Sequence, residues 1–351
     1  MRETHDCSID TLFARSAKDN VPLSIEFELT YRCNLHCGHC YVVDRGEEEL
    51  SFSEIAGILD QLAAANCLFL TLTGGEVFIR EDFLDIARYT RSQGFALKIF
   101  TNGNLINKDI ACEMARLKPL QVGISLYGAD AATHDRLTGV HGSFHRSINA
   151  LRLFKEQGIM TTVKCLLMKE NLAQLGEIRT LAGEMGAIFQ FDPVVTPRSD
   201  GNRAPLQHEL TEAELYGFFS HEVADPGKSG ERAYPLSESI ICGAGRDICS
   251  ISPGGEVYAC VALPMSLGNL RQSSFEKIWH GAEATKLRRF RFSDLHQCVS
   301  CHDVNYCIRC WGLATVESGD HLGPAYSNCR IARIRHRISD ERSKSKTGGG
   351  L

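Results

Sequence analysis

Short β-branched runs alternate with amphipathic helical stretches from Ser24 to about Val195, and this alternation limits the folds open to the chain. It is typical of βαβ units, in which helices cover a parallel sheet. Six units are too few to close an eight-fold barrel, so we expect an α/β fold with a partial (β/α)6 barrel of the TIM type. The predicted strands are Ser24–Thr30, Leu68–Gly74, Ala96–Asn102, Leu120–Leu126, Met160–Met168 and Ile188–Val195.

The helical stretches between these strands include Ser53–Ala65, for which Ser53 is the expected N-cap, and Asp82–Gln93. Composition then divides the chain into five segments. These are an N-terminal extension (1–22), the barrel (23–205), a linker (206–235), a small cysteine-rich domain (236–340) and a disordered tail (341–351).

The start of the chain has no apolar run that could serve as a signal peptide, and no later segment approaches the length of a membrane span. We therefore expect a cytoplasmic protein with no membrane partner. The formal net charge of -5 gives no reason to expect nucleic acid.

Fifteen cysteines are present, and a reducing cytoplasm favours metal binding or catalysis over a disulfide framework. One group, Cys33, Cys37 and Cys40, has the spacing C-x3-C-x2-C directly after the first strand. Three thiolates suit three corners of a 4Fe-4S cluster and leave the fourth iron open for a small molecule. The alternative is a zinc site completed by His36 or His39.

A second group lies downstream: Cys242, Cys249, Cys260, Cys298, Cys301, Cys307, Cys310 and Cys329. Its C-x2-C pairs are separated by five residues, whereas a zinc ribbon needs about 15–20 between pairs. Eight thiolates satisfy two 4Fe-4S clusters, although zinc remains an alternative.

The three-cysteine loop, followed by Gly-Gly-Glu after the second strand, resembles the radical S-adenosylmethionine (SAM) superfamily over residues 24–195. The resemblance implies that the open iron binds SAM, whose reductive cleavage gives a 5′-deoxyadenosyl radical that abstracts hydrogen from a substrate. It also implies a reductant such as flavodoxin or ferredoxin.

By the same resemblance, SAM contacts fall on loops at the C-terminal ends of the strands. The glycines and the glutamate would meet the amino group, Asn102 and Ser125 the ribose or carboxylate, and Arg146 the carboxylate, while an aromatic ring would lie near the adenine. Asn102 as a turn residue and Arg146 as a surface residue are the alternatives. The full set is Tyr41, Gly74, Gly75, Glu76, Asn102, Ser125 and Arg146.

The segment Cys242-x12-Gly255-x4-Cys260 with the later cysteine run resembles the SPASM extension of radical SAM enzymes. The resemblance implies two auxiliary clusters, although Cys307 and Cys310 are separated by two residues where three are usual. It assigns Cys242, Cys249, Cys260 and Cys310 to the first cluster, and Cys298, Cys301, Cys307 and Cys329 to the second.

Enzymes with this extension mostly modify peptides, and residues 125–129 and 138–144 are similar to peptide maturases. We therefore expect net oxidation of a peptide or protein, such as a crosslink, with any leader-binding module on a separate protein.

A tetrapyrrole substrate of the heme pathway is one alternative. Formylglycine formation in a sulfatase is another, although Val261 replaces the expected aspartate. A non-enzymatic iron-sulfur carrier would have no use for the Gly-Gly-Glu rim. Asp192 and Arg198 are candidate bases by location only.

Overall fold

The computed structural model describes residues 8–43, 46, 48–221 and 239–347, with side chains up to residue 345. Its strands are β1 (Ser24–Glu28), β2 (Phe69–Thr73), β3 (Ala96–Thr101), β4 (Gln121–Ser125), β5 (Thr161–Leu166), β6 (Ile188–Asp192), β7 (Ile248–Ile251), β8 (Glu256–Cys260) and β9 (Leu263–Asn269).

Twelve α-helices accompany these strands in the described residues. They are α1 (Ile9–Asp19), α2 (Phe52–Ala64), α3 (Phe83–Ser92), α4 (Lys108–Leu117), α5 (Ala131–Thr138), α6 (Ser143–Glu156), α7 (Leu175–Glu184), α8 (Glu212–His221), α9 (Phe275–Trp279), α10 (Ala282–Arg289), α11 (Trp311–Ser318) and α12 (Tyr326–Thr347). Short 3-10 helices lie at Val77–Ile79, Leu172–Gln174, Ala204–His208, Phe292–Asp294, Cys298–Ser300 and Val304–Tyr306.

Strands β1 to β6 are parallel, and each pairs with the next in the chain. The predicted partial (β/α)6 barrel is therefore confirmed. Both ends of each of the six strands lie within three residues of their predicted positions. Strands β1 to β5 are largely buried between helices and the barrel interior, whereas β6, at the edge of the sheet, is largely exposed.

The cysteine-rich half continues the barrel sheet. Strand β7 pairs in parallel with β1, with Ser24 opposite Ile248 and Phe27 opposite Ile251, and β8 and β9 follow as an antiparallel extension. The full order is β6-β5-β4-β3-β2-β1-β7-β8-β9. Backbone hydrogen bonds thus fix the position of the second half relative to the barrel.

Successive side chains of a strand point to opposite faces of the sheet, and the two faces here differ sharply. The outer face carries residues such as Ile25, Phe27 and Ile251, which are fully buried in one core with the helices. The inner face carries Glu26 and Glu28 of β1 and basic residues of β3 and β5. The barrel interior is therefore charged, whereas the helix-covered side is apolar.

The described parts of the segments outside the two predicted domains contain helices. Helix α1 lies in the predicted extension, and α8 lies in the predicted linker, where the Tyr216 hydroxyl donates to Glu341 of α12. Helix α12 continues to Thr347, past the predicted start of the tail at 341. Residues 222–238 and 348–351 of these segments lie outside the described residues. No described helix has the length and apolar character needed to cross a bilayer.

Helix α2 begins one residue earlier than predicted, because its N-cap is Ser51 and the prediction of Ser53 was wrong. The Ser51 Oγ accepts a hydrogen bond from the Glu54 amide at 3.4 Å, and the Glu54 carboxylate accepts one from the Ser51 amide at 2.8 Å. This reciprocal pair is a capping box, which satisfies two backbone donors at the start of the helix.

Replacing Ser51 by alanine should lower the free energy of unfolding by about 1 kcal/mol, because the first turn loses its side-chain acceptor. Urea unfolding under anaerobic conditions, followed by circular dichroism, measures the change. Ser53→Ala is the matched control and should cost less than half as much. Equal losses in both variants would contradict the assignment of the cap.

Candidate active site

The loop that follows β1 carries the first three cysteines and is held by backbone hydrogen bonds at several points. The Leu29 amide donates to the Thr73 carbonyl at 2.8 Å, which keeps the start of the loop against the end of β2. The His36 amide donates to the Thr138 carbonyl at the end of α5, also at 2.8 Å. The loop is therefore fixed by neighbouring elements of the barrel rim.

The three thiols lie close enough for their charges to interact. Burial, together with the charges of Cys40 and Cys33, raises the pKa of the Cys37 thiol to about 12. The Cys33 sulfur accepts hydrogen bonds from the Leu35 amide at 3.4 Å and from Asn102 Nδ2 at 3.8 Å. Such donors stabilise a thiolate that binds a metal cluster.

Gly74 and Gly75 bring the end of β2 into direct contact with the cysteine loop. A Cβ on Gly75 would lie 2.3 Å from the Arg32 carbonyl oxygen, and one on Gly74 would lie 2.2 Å from the Thr30 carbonyl oxygen. Gly74 also has a φ of 140°, which disfavours other residues. With no side chain between the two backbones, the Gly75 amide donates to the Thr30 carbonyl at 2.7 Å. The glycines therefore allow a backbone approach that any side chain would block.

Glu76 is fully buried and connects the ends of β2 and β3. Its carboxylate accepts hydrogen bonds from the Thr101 hydroxyl and the Asn102 amide, both at 2.7 Å, and from the Phe78 amide at 3.2 Å. Burial nevertheless raises the pKa of this carboxyl group. Contact with a SAM amino group remains a prediction.

Asn102 and Arg146 belong to one polar network on the rim. Asn102 Oδ1 accepts from the Asn104 amide at 2.8 Å, which is a turn contact, while its Nδ2 donates to Asn34 Oδ1 at 2.7 Å beside Cys33. Arg146 Nε donates to Asn104 Oδ1 at 2.9 Å. The structure thus brings these predicted contacts to the cysteine loop, and their roles toward SAM remain predictions.

Ser125 and Tyr41 lie on other parts of the rim. Ser125 ends β4 on the inner face of the sheet and shares a hydrogen bond with the Tyr127 side chain. Tyr41 follows Cys40 and is 41% exposed. His39, which the zinc alternative would use, packs edge-on against Tyr127 with ring centroids 4.4 Å apart.

The second group of cysteines separates into two sets. Burial, together with the charges of Cys329, Cys298 and Cys301, raises the pKa of the Cys307 thiol to about 12, so these four thiols lie near one another. Their assignment to one cluster remains a prediction. Burial also raises the pKa of Cys260 to about 12, with smaller contributions from the charges of Glu26, Cys310 and Cys242.

Cys249 lies apart from the second set. It is 3% exposed on β7, directly opposite Ile25 of β1, within the apolar core. Burial raises its pKa well above the ordinary value, and the neighbouring thiol charges are those of Cys67 and Cys260.

One pocket is lined by neighbours of both cysteine groups. Its walls include Tyr41, which follows Cys40, and Val261, which follows Cys260, together with Glu28 and Tyr258 from the inner face of the sheet. The pocket therefore lies between the loop of the first group and the end of β8.

Sequence reasoning missed the basic residues inside the barrel. Burial raises the pKa of Glu26, and the charges of Lys164 and Lys98 oppose that change. Lys164 Nζ lies 3.5 Å from the centroid of the Phe100 ring. In the sequence, β3 and β5 each have a single lysine as their one charged residue. A lysine within such a strand indicates a position that faces a polar interior.

The donor sets fit iron-sulfur clusters, because soft thiolates on loops at one rim are the ligands that such clusters take. No three His, Cys, Asp or Glu side chains converge on a position for a single metal ion anywhere in the described ranges.

Comparison with known proteins agrees with the two modules. Residues 27–182 match the Radical SAM superfamily, and residues 242–302 match the SPASM iron-sulfur cluster-binding domain. Mycofactocin maturase MftC of Mycobacterium tuberculosis is 30% identical over 90% of this chain and 87% of its own length. The chain belongs to the radical SAM superfamily. It is an enzyme of the SPASM group, whose cofactors are SAM, a SAM-binding 4Fe-4S cluster and two auxiliary clusters.

Other similar proteins include AdoMet-dependent heme synthase of Methanosarcina barkeri, 26% identical over 87% of this chain and 96% of its own length. Among solved structures, Streptococcus suis SuiB bound to precursor peptide SuiA aligns with a TM-score of 0.70. That alignment has 20% identity and covers 91% of this chain and 79% of SuiB, so it supports the radical SAM fold.

Replacing Gly75 by alanine should lower the iron content by about one cluster, or four irons, and weaken SAM binding, because the cysteine loop must move away from the new Cβ. Iron per chain after anaerobic reconstitution and equilibrium binding of SAM measure the two effects. Gly57→Ala in α2 is the matched control, since nothing lies within 4 Å of its Cβ position. Unchanged iron and SAM binding in Gly75→Ala would refute the assigned role of this contact.

Proposed function

We propose that this radical SAM enzyme oxidises a peptide or protein substrate, giving a crosslink or a new unsaturation. Similarity to mycofactocin maturase MftC supports a peptide substrate. This relative is 30% identical over 90% of the chain, so the similarity extends over both modules. The observation that carries the proposal is the pocket between Tyr41 and Val261, which neighbours of both cysteine groups line.

We place the substrate between the two modules, beside this pocket, whose volume is about 30 Å³ in the structure. Glu28, which is 6% exposed, and the rings of Tyr41 and Tyr258 give the pocket an acidic and aromatic lining. The Tyr31 hydroxyl donates to Glu28 Oε2 at 3.3 Å, which orients this carboxylate.

The reaction removes two electrons and two protons from the substrate. One hydrogen atom goes to the 5′-deoxyadenosyl radical, which forms 5′-deoxyadenosine, and the remaining radical loses one electron and one proton. When bound, the iron-sulfur clusters supply the electron that cleaves SAM and accept the electron that the substrate loses. The protein must hold the substrate, exclude water and accept the second proton.

Asp192 and Arg198 remain the proposed candidates for handling that proton. Asp192 ends β6, next to Lys164 on the inner face, and its Oδ1 accepts from the Val194 amide at 2.9 Å. The charge of Arg198 lowers the pKa of Cys40, which burial raises, so this guanidinium lies near the cysteine loop. Asp192 is the better acceptor, because a guanidinium stays protonated.

A tetrapyrrole substrate is the second candidate, since the heme synthase relative shares 26% identity over most of this chain. A planar macrocycle needs a wide apolar opening, whereas the inner face carries Glu26, Glu28, Lys98 and Lys164. This charged interior favours the peptide.

The test uses reduced enzyme with SAM, an added flavodoxin and a precursor peptide encoded beside the gene, deuterated at candidate side-chain positions. We expect deuterium in 5′-deoxyadenosine and a peptide mass loss of about two hydrogens, as the two-electron oxidation requires. Mass spectrometry follows both products.

The matched control replaces Cys33, Cys37 and Cys40 together by alanine, which should abolish SAM cleavage while the downstream cysteines keep their iron. A porphyrin precursor is tested in parallel. Label transfer from the porphyrin alone, with the peptide unchanged, would move the assignment to the tetrapyrrole.

A further inference from the structure

Cys249 lies on the wrong face of the sheet to join the other thiols assigned to the first auxiliary cluster. Strand β7 pairs with β8 so that Ile251 lies opposite Val257. Directly opposed residues share a face, and Cys249 lies two residues before Ile251, so all three side chains point the same way. Cys260 lies three residues after Val257 and therefore points to the opposite face.

Burial agrees with this assignment of faces. Along β8, Val257 and Ala259 are fully buried, whereas Tyr258 and Cys260 are half-buried. Ser250 lies opposite both Tyr258 and Glu26, so Cys260 shares the barrel side of the sheet with these two residues. Cys249 instead shares the helix-covered side with Ile25 of β1.

Cys310 lies near Cys260 because Gly312, two residues after Cys310, packs against Ala262, two residues after Cys260. Cys310 is the N-cap of α11, and a Cβ on Gly312 would lie 2.0 Å from the carbonyl oxygen of Ala262. The first turn of α11 therefore packs directly on the backbone just after Cys260. The N-terminus of a helix also favours a thiolate at the cap.

Cys242 completes this set from the turn before β7. Its sulfur accepts from the Ala244 amide at 3.4 Å, and burial together with the charge of Cys310 raises its pKa.

We infer that three thiolates, Cys242, Cys260 and Cys310, hold the first auxiliary cluster, and that none of the other described cysteines binds its fourth iron. This iron can then take an exchangeable donor, such as a carboxylate, a thiolate or cyanide. Cys249 is a structural residue of the core. The inference concerns the cofactor site and is independent of the substrate proposed above.

The test works in the Cys33→Ala, Cys37→Ala, Cys40→Ala background, so that only auxiliary clusters remain. With both clusters present, iron should be about eight per chain. Adding Cys249→Val should leave it at about eight, whereas adding Cys260→Ala should lower it to about four. Cys165→Val is the matched control for a valine in place of a buried core cysteine, since Cys165 is also 3% exposed.

A second measurement uses the background with all eight downstream cysteines intact, so it does not depend on the folding of a Cys249 variant. After reduction and addition of 13C-cyanide, electron-nuclear double resonance should detect 13C coupled to one auxiliary cluster. Addition of Cys260→Ala should remove that coupling. Cyanide without any coupling would overturn the inference, as would a loss of about four irons in Cys249→Val but not in Cys165→Val.

Discussion

The parallel pairing of β1 with β7 determines how the two iron-sulfur modules are arranged. The Ser24 amide donates to the Asp247 carbonyl at 2.9 Å, and four residue pairs continue the ladder from there. Because backbone hydrogen bonds fix both register and face, the loop after β1 and the end of β8 have a defined separation. Side-chain contacts reinforce this arrangement, since Trp279 Nε1 donates to the Asn20 carbonyl at 2.7 Å and Arg271 pairs with Glu54 at 2.8 Å.

This sheet separates two environments that the chemistry needs. Its outer face is apolar and packed on helices, which supplies stability, while its inner face carries ionisable groups whose pKa values are shifted by burial. The pKa of Lys164 is lowered by burial, although Glu26 and Asp192 oppose that change. Such groups are costly to bury and contribute little to a core, so their position inside the barrel is consistent with substrate binding.

The sequence was sufficient for features that depend on local periodicity or close spacing. The six barrel strands and the C-x3-C-x2-C loop fall in this class, because the strands are short β-branched runs between helical stretches and the loop ligands lie within eight residues. The cap of α2 was predicted wrongly at Ser53, although Ser51 and Glu54 have the S-x-x-E spacing of a capping box. Helix α8 was placed in a linker because its partner, α12, lies more than a hundred residues away in the chain.

The cysteines show why spacing alone cannot assign a ligand. Cys67, Cys165 and Cys249 are all buried in the apolar core. A thiol in that environment packs as a small apolar side chain, whereas a ligand needs room for iron beside its sulfur. Cys249 and Cys260 are separated by only ten residues, but they lie on antiparallel strands and point to opposite faces. Strand register therefore decides which of the two can bind a cluster, and register depends on pairing with β1, which lies more than two hundred residues earlier.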